Sequence, residues 1–161
     1  MPEPVRSGAL APDDRRRVVY AIAYAVLVPV LLMAVALWWA GDAATALASA
    51  LMGYLAVVTG FLGGVHWGVA LRYIATNAQT PVFHFVWGPI PAYLAWGASL
   101  CNAWLGLLLL AMVSALAYLV DLRTWPGAGL GPWLRLRGQF TAGLMGCCLL
   151  AASALTFRSF A

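Results

Sequence analysis

Five stretches of this sequence, 18–40, 43–71, 82–100, 103–120 and 140–157, are apolar over lengths close to the roughly 20 residues needed to cross about 30 Å of hydrocarbon. Inside lipid, every backbone N–H and C=O must find its partner within the protein. That leaves an all-α fold, a polytopic bundle of about five transmembrane helices, as the expectation. A soluble helical bundle would need charged faces that these stretches lack. Only 9% of the residues are charged, against about a quarter in soluble proteins, so water cannot be the main solvent. The second stretch exceeds the length of a simple crossing and should tilt or project beyond the membrane.

The breaks between the stretches set the organisation. Gly41-Asp42 and Cys101-Asn102 are tight turns, and 72–80 is a polar connection. Residues 121–139 carry Pro126, Pro132 and several glycines. Residues 1–17, with Pro2, Pro4, Pro12 and the run Asp13-Asp14-Arg15-Arg16-Arg17, read as a polar tail. The apolar stretch that follows is longer than the roughly 7–15 apolar residues of a secretion signal, so it is expected to stay as the first span. The expected organisation is therefore a cytoplasmic tail over 1–17, a single transmembrane domain over 18–157 and a short outer tail over 158–161.

With the N-terminus inside, Arg6, Arg15, Arg16, Arg17, Arg72, Arg123, Arg135 and Arg137 fall on the inner side and only Arg158 falls outside, as the positive-inside rule asks. The formal charge of +4 then reports topology, and no nucleic-acid partner is expected. The partners it implies are the lipid bilayer and other membrane subunits. Trp38, Trp39, Trp125 and Trp133 sit at the expected interfaces. Cys101, Cys147 and Cys148 make no metal or haem-attachment spacing.

The second span holds the most unusual residues. Ala56, Gly60, Gly64 and Gly68 recur every fourth position and form a small-residue seam where a neighbouring backbone can approach. At about 100° per residue, His66 lies nearly opposite Gly64, with Leu55, Thr59 and Leu62. An ionisable residue inside a membrane usually faces a partner or a cavity. His84, at the start of the third span, is expected at similar depth, so the two imidazoles could face each other.

In Trp87-Gly88-Pro89-Ile90-Pro91, the prolines Pro89 and Pro91 break the third span and free the carbonyls of Phe85 and Trp87. Those carbonyls need other donors, and His66, Trp67, Arg72 and His84 are the near candidates. An inner-leaflet ligand pocket of His66, Trp67, Arg72, His84 and Trp87 is the resulting expectation, beside the plainer one of a kinked helix. Trp133, Arg135 and Arg137 are expected along the inner headgroups. The carboxylates Glu3, Asp13, Asp14, Asp42 and Asp121 all read as tail or helix-end groups, so no acid is expected deep in a span. No hydrolytic triad, metal-ligand helix motif, phosphate loop or dinucleotide fingerprint appears, and neither catalytic nor metal residues are assigned.

The run Phe61-Leu62-Gly63-Gly64-Val65-His66-Trp67-Gly68-Val69-Ala70-Leu71 resembles the signature of the transmembrane protein 69-like family, domain of unknown function 3429. Pro91-Ala92-Tyr93-Leu94-Ala95-Trp96 resembles its proline-to-tryptophan element, and Trp133 through Arg137 to Thr141 its Trp-then-Leu-Arg element. The resemblance implies a bacterial or mitochondrial inner-membrane protein. It carries His66, Trp67, Pro91, Trp96, Trp133 and Arg137 as motif positions, but not His84, and it implies no activity. Three functions follow in order: a non-enzymatic accessory or assembly subunit, a haem b or quinone binder using His66 and His84, and a channel or carrier.

Overall fold

The computed structural model of the protein describes residues 12–76 and 82–160. The N-terminal part of the expected tail (1–11), the latter part of the expected polar connection together with the residue after it (77–81) and Ala161 lie outside the described residues. All regular structure among the described residues is helical: α1 (Pro12–Ala36), α2 (Ala44–Ala75), α3 (Val82–Trp87), α4 (Ile90–Ser99), α5 (Ala103–Thr124) and α6 (Leu134–Phe160). Short 3-10 turns at Leu37–Trp39, Gly41–Ala43 and Gly131–Trp133 complete it.

Four of these elements are continuous helices long and apolar enough to cross a membrane. The stretch expected as a third unbroken span is instead α3 and α4, separated by a turn at Gly88-Pro89. Pro89 lacks an N–H and its ring crowds the carbonyl four residues back. Pro91 is not part of the break: it sits in the first turn of α4, where a missing N–H costs nothing. The break is held by interlocked small residues. Gly63 of α2 lies so close to the Gly88 carbonyl oxygen and the Pro91 ring that a Cβ would collide, and a Cβ on Gly88 would meet the Trp67 indole.

The helices pack around one core, and α2 touches each of the other five. Val30, Leu37, Leu51, Leu55, Leu107, Leu110, Phe140 and Leu144 are among the core's large members. The tight turn before α5 is set by Asn102, whose side chain accepts a hydrogen bond from Leu105 N at 3.1 Å and so caps the helix. The turn before α2 uses Gly41 at φ 52°, and Arg158 from the far end of α6 donates to its carbonyl oxygen at 2.6 Å. α6 begins at Leu134, six residues ahead of the apolar stretch at 140. Arg135 and Arg137 are therefore in its first turn, not in a loop.

A candidate functional site: a buried polar chain across four helices

Four helices, α2, α3, α5 and α6, contribute to a polar chain from faces that are buried and largely apolar. On α2, His66 follows Met52, Leu55 and Thr59 along the buried stripe. On α5, Asp121 follows Leu110, Ser114 and Ala117 at helical spacing. On α6, Arg137 shares its face with Thr141, Leu144 and Cys148. His84 is the buried residue of α3. Packing the four stripes together brings the groups into one line.

The Nδ1 atoms of His66 and His84 are 2.8 Å apart. His66 Nε2 is 2.9 Å from Asp121 Oδ1, and Arg137 Nε donates to Asp121 Oδ2 at 2.7 Å. Arg137 Nη1 donates to Thr141 Oγ1 at 2.8 Å. Of these groups, His66 is 1% exposed, Asp121 2% and Arg137 4%. Burying an ion pair this deeply is tolerable only when each charged atom is hydrogen-bonded, and the chain supplies those bonds.

The chemistry fixes the proton positions. The Asp121 carboxylate, paired with Arg137, only accepts, so His66 Nε2 must carry a hydrogen. A neutral His66 then offers a lone pair at Nδ1, and Nδ1 of His84 donates to it. His84 Nε2 has no hydrogen-bond partner among the described residues. A proton arriving at that atom leaves every bond of the chain in place. It can also be passed on, with His66 Nδ1–H then donating to His84 Nδ1. The arrangement can hold one extra proton and move it one imidazole closer to Asp121.

The residues singled out from the sequence do not converge on a single pocket. His66 and His84 meet directly. Trp67 donates from Nε1 to the Phe85 carbonyl at 2.9 Å, supplying a donor for one of the two carbonyls freed by the prolines. Trp87 stacks on Phe83 with ring centroids 6.1 Å apart, and its buried Nε1 is unpartnered. Arg72 turns away from the histidines and donates to the Ala128 carbonyl in the loop before α6, beside Tyr73, which donates to Gly127 O at 3.2 Å.

The small-residue seam divides. Gly60 packs against Ala92 of α4, with its added Cβ at 3.2 Å from the alanine methyl, whereas Gly64 and Gly68 face open space. Trp133 lies beside Tyr20 at 6.5 Å, and Arg135 is exposed.

Two expectations are corrected. Arg137 does not lie along the headgroups, because its guanidinium turns inward to Asp121. Asp121 does lie in the last turn of α5, but it is buried inside the bundle, so an acid does stand in the core. The apolar run ends one residue before Asp121, so hydropathy places the acid outside the span. The usable signal was periodicity: Asp121 lies four and seven residues after Ala117 and Ser114, and Arg137 four before Thr141.

The same geometry bears on haem. For iron to be held by both imidazoles, the macrocycle must fit between rings whose Nδ1 atoms are in hydrogen-bond contact, and both nitrogens of His66 are already engaged. The site as built does not fit that ligand.

No curated protein and no solved structure matches the chain. A family profile described as "Protein of unknown function (DUF3429)" matches residues 15–153, which takes in every member of the polar chain. This chain is a membrane-embedded helical protein that belongs to the DUF3429 family.

Proposed function

We propose that the protein is a non-enzymatic accessory or assembly subunit of a larger complex in a bacterial or mitochondrial inner membrane. In this reading it crosses five times, with α3 and α4 together making the third crossing and the arginine-rich end inside. The observation that carries the reading is the outward face of α2. Gly53, Gly64 and Gly68 have nothing within contact distance of an added Cβ, and Val57, 71% exposed, lies among them. At about 100° per residue these positions share one face, between the α4 contact and the side turned toward α1. Small residues facing outward in a membrane helix let another helix backbone approach closely. Here that helix would belong to a partner.

Gentle solubilisation should co-purify a larger partner, and Gly64→Leu with Gly68→Leu should release it while leaving thermal unfolding unchanged. A clean monomer in several mild detergents would remove this reading. A quinone headgroup held between His66 and His84 would have to displace the bond joining them, and no observation favours a channel or carrier.

A further inference from the structure

The helices α1 and α2 part toward the arginine-rich end, leaving an apolar cleft of about 710 Å³ between α1, α2 and the start of α6. A volume of this kind lies within the roughly 300–1,000 Å³ of small-molecule sites. Tyr54 closes its upper end by donating to the Val26 carbonyl at 3.1 Å, and Trp125, Trp133 and Arg137 line its lower end. Tyr54 to Val65 of the α2 wall spans about 16 Å at 1.5 Å per residue, room for several methylene or prenyl units.

The lower end has the character of a headgroup site. Trp125 is 6% exposed, yet its buried Nε1–H has no acceptor. Arg137 Nε and Nη1 are engaged with Asp121 and Thr141, while Nη2 has no partner among the described residues. A buried indole donor without an acceptor is costly, and a ligand oxygen that reached it would relieve that cost. The Arg137 charge is already balanced by Asp121, so the site offers donors without net charge. That combination suits a neutral carbonyl better than an anionic headgroup.

We propose that this cleft binds a long-tailed amphiphile with a neutral carbonyl head, the class that includes membrane quinones, the carbonyl accepting from Trp125 Nε1 and Arg137 Nη2. The cleft borders the small-residue face of α2, sharing Val57 with it, and is separate from the His66–His84 contact; the proposal does not rest on the accessory-subunit reading. Through Arg137 the head would touch the end of the chain that runs by way of Asp121 and His66 to His84.

The test is extraction of lipids from the intact protein purified in mild detergent, with mass spectrometry of the extract, and titration of the extracted protein with decylquinone followed by tryptophan quenching. The wild-type protein should carry quinone well above the quinone-to-phospholipid ratio of the source membrane. Trp125→Phe should weaken decylquinone binding about fivefold, the worth of one hydrogen bond. Val57→Trp, which projects a large ring over the cleft from an exposed position, should abolish binding with unfolding unchanged. Quinone at the bulk membrane ratio, phospholipid as the sole enriched lipid, or decylquinone quenching that is equal in wild type, Trp125→Phe and Val57→Trp would each overturn the proposal.

Discussion

At the arginine-rich end of the bundle, His84, His66, Asp121, Arg137 and Thr141 cross the core as a polar chain. Toward the other end, the core is Val30, Ala34, Leu37, Leu51, Leu107 and Ala151, packed side by side. The second region depends on complementary shape, which tolerates exchange among residues of similar volume. The first depends on identity, because each group satisfies its neighbour and the removal of any one leaves a buried charge or dipole unpaired. Membrane helices gain little from hiding Leu against Leu, since lipid tails are equally apolar. The polar chain therefore ties α2, α3, α5 and α6 together by contacts that lipid cannot replace.

The largest expected effect comes from breaking the ion pair. Arg137→Met should destabilise the fold by about 3–5 kcal/mol, measured by denaturation in mixed micelles, because Asp121 is left charged in the core. Asp121→Asn combined with Arg137→Met should cost clearly less than the two singles together. A single-variant loss below about 1 kcal/mol would erase the contrast between the two regions.

Next come the histidines. His66→Ala strips Asp121 Oδ1 of its one donor among the described residues and should cost about 1.5–3 kcal/mol, the range for hydrogen bonds to charged groups. His84→Ala ends the chain one link earlier and should cost about 0.5–1.5 kcal/mol in the same denaturation series. The reverse order would mean that His84, not His66, organises the chain.

A third comparison lies within the α2 glycines. Gly63→Val drives a side chain into the Gly88 carbonyl and Pro91, with an expected loss of about 1–3 kcal/mol. Gly64→Val, one residue on but facing open space, should stay within about 0.5 kcal/mol. Equal losses would show that the helix break does not press on α2. Trp67→Phe, which removes the donor to the Phe85 carbonyl at that break, should cost about 1 kcal/mol, more than Gly64→Val.

Hydropathy alone established the all-helical, membrane-embedded character of the chain, because in lipid the backbone leaves no other economical solution for runs of this length. Local chemistry also predicts a break at Pro89 and Pro91, of which the structure keeps Pro89, and a turn at Cys101-Asn102, where the structure adds the Asn102 cap. The two histidines stood out because ionisable groups are rare in such runs, and Trp67 was among the named donors for the proline-freed carbonyls.

What the sequence reading could not supply was partnership. Hydropathy averages over a window, so it leaves Asp121 at a helix end outside the apolar span and Arg137 at the headgroups, although each belongs to a helical face that is buried. Their separation along the chain gives no hint of a 2.7 Å contact. Only the packing of α2, α3, α5 and α6 decided that these charges neutralise each other inside the bundle. The physical reason is that the tolerance of a buried charge is a property of what surrounds it, and that surrounding comes from four distant segments at once.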